Sequence, residues 1–190
     1  MALSKIVSGG QTGVDRGALD AALVAGFAFG GWCPADRGAE DGELSERYPL
    51  TPLPDVAKLA ANPARQVAER CRARTLKNVQ DSDGTVILYS GSLSGGTLLT
   101  QKLCMKEKKP SIALDAQAMT KLRAAGAVAH FVEEHGVSVL KVCRASLKWL
   151  AGGIRVRVGG GWCGAPEFVT QTFKRDYFCA RAASRAFRSE

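Results

Sequence analysis

Two glycine- and hydroxyl-rich stretches carry the residues best suited to chemistry. The first is Ser8-Gly9-Gly10-Gln11-Thr12-Gly13-Val14-Asp15-Arg16, and the second is Ser90-Gly91-Ser92-Leu93-Ser94-Gly95-Gly96-Thr97. Glycines let the backbone adopt positive φ and bring its N–H groups close to an anion. Where such a loop opens a helix, the unsatisfied N–H groups and the helix field favour a phosphate. Each charge-assisted hydrogen bond contributes about 1.5–3 kcal/mol, so several together hold a phosphorylated ligand usefully. A single strand–glycine–helix turn often exists only for its tightness. Two of them, both rich in hydroxyls, make phosphate binding the stronger reading. Gly9, Gly10, Gln11, Thr12 and Gly13 would hold the phosphate from one side, and Ser90, Gly95, Gly96 and Thr97 from the other. Asp15, Arg16, Arg37 and Asn78 would be secondary contacts. The spacing is neither GxGxxG nor GxxxxGKS/T, and no ribose-reading acid is evident, so a nicotinamide or ATP site is not indicated.

The segment Gly31-Trp32-Cys33-Pro34-Ala35-Asp36-Arg37-Gly38-Ala39-Glu40-Asp41-Gly42 adds charges behind a tryptophan. Arg37 could pair a ligand phosphate, while Glu40 and Asp41 could accept hydrogen bonds from a heterocycle. The competing reading is a solvated loop whose charges neutralise one another. Arg74-Thr75-x-x-Asn78 ends a helix near the strand that carries the second loop, where Asn78 either meets the ligand or caps that helix.

The elements that must position these residues alternate along the chain. LSKIVS at 3–8 reads as a buried strand. A helical apolar pattern runs from Val14 towards Gly26, a natural stop, and 27–33 is a second short strand. Pro34 to Pro54 reads as a long functional loop. Asn62-Pro63 is a helix start, with Asn as the cap and Pro at the first helical position, and that helix runs to about Val79. TVILYS at 85–90 is apolar without alternation, which marks a central strand. A helix over about 97–108, a strand at 110–114, a helix near 117–135 and a strand at 137–142 complete the series. Alternating strands and helices predict a Rossmann-like α/β fold, an open, mostly parallel sheet with helices on both faces. Two glycine loops at the carboxyl edge of that sheet would face one crevice, where open α/β sheets bind ligands.

At 190 residues, 46% hydrophobic and 23% charged, the chain suits a single globular core. No apolar run is long enough to span a membrane, and the first residues, with one Lys running straight into a strand-like stretch, read as a strand and not as a secretory signal. Six scattered cysteines without a CxxC pair predict reduced thiols in a cytoplasm, with a zinc site as the alternative. The net charge of +8 does not imply nucleic acid. Residues 1–140 carry a net +1 and residues 141–190 a net +7, so the basicity belongs to the end of the chain.

Taken together, SGGQTGVDRGALDAAL, GWCPADRGAEDG, YPL, RTLKN, SDGTVILYSG and SGGT resemble the molybdenum carrier family, itself similar to the lysine-decarboxylase-like group of Rossmann folds. The motifs occur in order over about residues 4–140. The resemblance implies binding of the molybdenum cofactor, a phosphate-bearing molybdopterin, for storage or delivery, in a homo-oligomer. The metal would ride on the cofactor's own dithiolene, with no protein ligand. The same fold group includes phosphoribohydrolases with a PGGxGTxxE loop. The matching stretch here, Ser94 to Thr100, lacks the second half of the glycine pattern and has Thr100 in place of the glutamate. Threonine cannot supply the charge needed in glycosidic cleavage, so carriage without catalysis is favoured over hydrolysis. The alternatives are a nucleotide hydrolase of that type and a nucleotide-sensing binding module.

The expected organisation is a ligand-binding domain over 1–140 and an atypical basic segment over 141–190. A one-base shift of reading frame near Lys141 would account for that segment. Codons compatible with Leu150 to Gly161, read one base on, give WPEGYAFAWEV, and Cys143 to Ser146 are compatible with AGPR. Such a tail would pack poorly or be disordered, exposing Trp149, Trp162 and the Arg cluster. The alternative is a native extension for an acidic partner.

Overall fold

A computed structural model describes residues 3–54, 62–144, 156–158 and 161–163. The elements run β1 (Lys5–Val7), α1 (Val14–Ala25), β2 (Ala28–Cys33), β3 (Gly38–Ala39), β4 (Gly42–Glu43), β5 (Leu50–Pro52), α2 (Pro63–Gln80), β6 (Gly84–Tyr89), α3 (Gly95–Lys106), β7 (Ser111–Asp115), α4 (Lys121–Glu134) and β8 (Val139–Arg144). A short antiparallel pair follows, β9 (Val156–Val158) with β10 (Gly161–Cys163). The rest of the segment after Arg144, with the frame-shift reading and both tryptophans' predicted exposure, falls outside what can be described.

Local chemistry explains the helix ends. Gly26 stops α1 in the left-handed conformation, its N–H bonding back to Ala22 and Leu23. Asn62 caps α2 by accepting from Ala64 N at 2.8 Å, with Pro63 as the first helical residue. Thr120 caps α4 by accepting from Arg123 N.

Six strands form one parallel sheet in the order β5-β2-β1-β8-β6-β7. One face packs against α1 and α4 in a core that includes Ile6, Val86, Leu88, Leu140 and Val142 from the sheet, Val14, Ala18 and Ala22 from α1, and Val128 and Phe131 from α4. Helices α2 and α3 meet over the other face through Val79, Leu103 and Cys104. The Rossmann-like expectation is therefore met. Among the described residues no helix is long and apolar enough to cross a membrane.

The structure departs from expectation between Pro34 and Pro54. Three short strands lie in the stretch read as a loop: the β3–β4 hairpin and β5, which adds an edge to the sheet beside β2. Leu44, Tyr48 and Leu50 from this stretch are buried with Leu19 of α1 and Cys33 of β2. Strands of two or three residues are too short to show periodicity, which is why a polar composition concealed them.

Strand β8 lies between β1 and β6, and its start is fixed by one carboxylate. Asp83 Oδ2 accepts from Ser138 N at 3.0 Å and Val139 N at 2.8 Å. Hydrogen bonds to a charged group contribute about 1.5–3 kcal/mol each, less when exposed, as Asp83 is. Asp83→Ala is expected to lower unfolding stability by about 1–3 kcal/mol in urea titration and to raise amide exchange along β8. Unchanged stability and exchange would show that the strand is held without this clamp.

Candidate functional site

The chain runs β1–α1–β2–β5 outward on one side of β8 and β6–α3–β7 outward on the other. That reversal opens a crevice at the carboxyl ends of the central strands. A cleft of about 660 Å³ occupies it. Its lining combines the first glycine loop (Gly9, Gln11, Thr12, Asp15), the start of α3 (Gly96, Leu99, Thr100), β8 (Lys141, Cys143), α2 from Val67 to Asn78, and the segment Pro34 to Glu40.

Six of the thirteen residues expected at the site line this cleft: Gly9, Gln11, Thr12, Asp15, Asn78 and Gly96. The other seven, Gly10, Gly13, Arg16, Arg37, Ser90, Gly95 and Thr97, are not part of the lining, and most of them shape the walls. Gly10 adopts φ 73°, and a Cβ there would collide with Leu50 and crowd Leu44, so this glycine lets the loop lie flat on the apolar part of the Pro34–Pro54 segment. Gly13 is the N-cap of α1 at φ 78°. Thr97 is buried, its hydroxyl donating to Ser94 O at 2.7 Å.

The two arginines expected near phosphate hold protein instead. Arg37, itself at φ 51°, donates to the carbonyls of Leu50, Leu44, Ser45 and Tyr48, and so organises the turn that leads into β5. Arg16 donates to Gly10 O and makes two 2.6 Å bonds to Asp41. Asn78 does not cap α2, which runs on to Gln80 with Asp81 as its cap. Its side chain accepts from Trp32 N at 2.8 Å and donates to Trp32 O at 3.0 Å, splicing α2 to β2 while it borders the cleft.

The hairpin closes one side through side chains of the first loop. Gln11 Nε2 donates to Gly38 O, Thr12 Oγ1 donates to Glu40 at 2.5 Å, and Arg16 grips Asp41. Glu40 and Asp36 therefore place acid on the hairpin side of the cleft. Cationic residues line the cleft as well. Arg70 and Arg74 come from α2, and Lys141 comes from β8. Arg74 lies against the first loop: a Cβ on Gly9 would sit 3.2 Å from both its Nε and its Cζ, and 3.2 Å from Asp15 Oδ2.

Lys141 is only 2% exposed, and Asp15 only 7%. The Cys143 thiol is pushed up by burial, while the Lys141 ammonium and hydrogen bonds from Lys141 and Thr100 pull it part of the way back. Lys141 and Arg74 escaped the expected set. Lys141 looked like the edge of an apolar strand, and Arg74 was one of several basic residues on α2. The only sequence signals were a lysine within an otherwise apolar β-run and the Arg74-x-x-x-Asn78 spacing, which puts both on one helix face.

Neither α1 nor α3, whose N-termini adjoin the cleft, has a side-chain cap, whereas α2 and α4 both have one. The first turns of the two uncapped helices contribute cleft residues, and those of the two capped helices contribute none. No group of three or more His, Cys, Asp or Glu residues suited to a metal occurs among the described residues.

Comparison with known proteins places this geometry in a family. Residues 6–149 match the model of the circularly permutated YpsA SLOG family. The chain belongs to this family. It is also similar to a solved structure from Syntrophus aciditrophicus SB, named "Putative molybdenum carrier protein", with 30% identity and a TM-score of 0.72 over 92% of this chain and 94% of that one. Among curated proteins, none matches the chain in sequence.

The ion pair joining the hairpin to the loop makes a testable prediction. Hydrogen bonds from Arg16 hold the Asp41 carboxyl below its ordinary value. Its folded pKa lies under the unfolded one, so the tether is complete above about pH 4 and is lost as pH falls through the folded value. The Asp41 carboxyl carbon, followed by NMR, should titrate below about 3.9 and return to that value in Arg16→Gln. A midpoint that is ordinary in both proteins would remove the tether from the account.

Proposed function

We propose that this protein binds a small phosphorylated ligand in the cleft and that this ligand is the molybdenum cofactor, held for storage or delivery without catalysis. The observation that carries the reading is the mixed charge of the cleft. The uncapped starts of α1 and α3 and the Arg74 guanidinium border it, and so do the Glu40 and Asp36 carboxylates. A phosphate suits the first set of groups, and the amino and ring N–H donors of a pterin suit the second. The volume lies within the ~300–1,000 Å³ usual for small-ligand sites. The similarity to a protein named as a molybdenum carrier supports the same ligand. When bound, the cofactor would bring its own dithiolene for the metal, and the protein would supply shape and charge. Assembly as a homo-oligomer and residence in the cytoplasm belong to the same proposal.

Thr100 weighs against the hydrolase alternative. It stands in the cleft at the position where a phosphoribohydrolase has its glutamate, and its hydroxyl donates to Gly96 O at 2.9 Å. A neutral hydroxyl occupied in this way offers no carboxylate to a departing base.

Titration of the purified protein with molybdenum cofactor should show saturable loading, and Arg74→Gln should weaken it about tenfold or more, the worth of one charge-assisted bond. Thermal-shift measurements with molybdenum cofactor, nucleoside monophosphates and nucleotide sugars separate the alternatives. Stabilisation by a nucleoside monophosphate alone would favour the sensing module, and release of free base would establish a hydrolase.

A further inference from the structure

We propose that Lys141, on the floor of the cleft, is the buried cationic seat for the ligand's phosphate. The inference rests on the reading that the cleft takes a phosphate-bearing ligand, and it deepens that reading by naming a residue and a place.

The placement of Lys141 is unusual for a lysine. It lies on β8, the strand bonded on both sides, level with Val7 of β1 and Thr85 of β6. Its neighbours Leu140 and Val142 are fully buried in the apolar core on the other face. An ammonium at 2% exposure loses most of its hydration, and an apolar residue would fill a central strand at less cost. The lysine is on the one face of β8 that borders the cleft, and Cys143, two residues on, shares that face.

Its surroundings compensate it only in part. Asp15 supplies a carboxylate from the first turn of α1, and Thr100 and Cys143 supply neutral polar atoms. Arg74 meets that same carboxylate region across Gly9. Two cations and one carboxylate leave this part of the cleft with an excess of positive charge. Thr85, level with Lys141 and on the same face of the sheet, has a buried hydroxyl with no hydrogen-bond partner among the described residues. A phosphate entering between the two glycine loops would supply the missing negative charge. The acids on the hairpin side would keep the anionic end of a ligand away from the mouth, so the phosphate points down and the uncharged ring points up.

Calorimetry with inorganic phosphate, on the full chain, tests this. Lys141→Met should weaken phosphate binding at least tenfold. Lys77→Met, whose lysine pairs with Asp81 away from the cleft, should leave it unchanged. Equal binding by wild type and Lys141→Met overturns the seat while the reading of the cleft stands. A wild-type protein indifferent to phosphate overturns that reading, and the seat with it. Should Lys141→Met fail to fold, wild type labelled with [13Cε]lysine decides the matter. The resonance missing from Lys141→Arg is that of Lys141. Phosphate should move it saturably with the calorimetric midpoint, and an unmoved resonance overturns the proposal.

Discussion

Strand β8 is the last of the six sheet strands in the chain, yet it pairs on both sides, with β1 and with β6. The cleft is a consequence of that pairing. Parallel strands need crossover connections, and here β1–α1–β2–β5 and β6–α3–β7 step away from β8 in opposite directions, which opens a crevice at the carboxyl ends of β1, β8 and β6. The loops after β1 and β6 are the two glycine-rich ones, and β8 holds them a strand's width apart. The Asp83 carboxylate, which receives the first two amides of this connection, acts at the opposite end of the sheet from the cleft. A clamp on the register of β8 therefore sets which of its residues face the cleft, because a slip by one residue would turn Lys141 into the apolar core and Leu140 into the cleft.

The segment between Pro34 and Pro54 shows how arginine can serve a ligand site without touching the ligand. Four backbone carbonyls converge on Arg37. The guanidinium's planar fork adds charge-assisted bonds to carbonyls of which two, Ser45 O and Tyr48 O, also accept backbone amides. The turn it organises puts Leu44 and Leu50 under Gly10, and so presses the first glycine loop into shape from behind. Arg16 repeats the pattern on a smaller scale by tying Gly10 O to Asp41.

Much of this was legible in the residues. The alternation of elements, the Asn62-Pro63 start, the Gly26 stop and the positions of both glycine loops follow from local chemistry, and local chemistry needs no knowledge of the fold. The order of strands does not follow from it. Nothing near Val139 says that this strand will enter between β1 and β6, so the lysine within its apolar run marks Lys141 as unusual without saying that it faces a cleft. Arg37 failed for a related reason. An arginine among glycines and acids is equally suited to a phosphate and to a set of carbonyls, and only the path of Leu44 to Leu50 decides between them. Asn78 borders the cleft, but its tie to Trp32 joins residues 46 positions apart, beyond any spacing argument.

The distribution of helix caps bears on what the fold gives up for its cleft. A side-chain cap stabilises a helix by about 0.5–2 kcal/mol. Asn62 and Thr120 provide one for α2 and α4. Helix α1 begins at a glycine with no side chain, and α3 begins at Ser94, a residue suited to capping whose hydroxyl does not cap. Local rules are broken at two helix starts, and both adjoin the same crevice. Sequences tend to agree with their folds at every level except where function intervenes. Arg16 N and Thr97 N donate to Gln11 O and Ser94 O, each at 3.2 Å, so backbone carbonyls supply part of what a side-chain cap would. The missing side-chain oxygens therefore cost each helix less than a whole cap, and they leave the first turns that carry Asp15 and Gly96 without a capping oxygen beside the cleft.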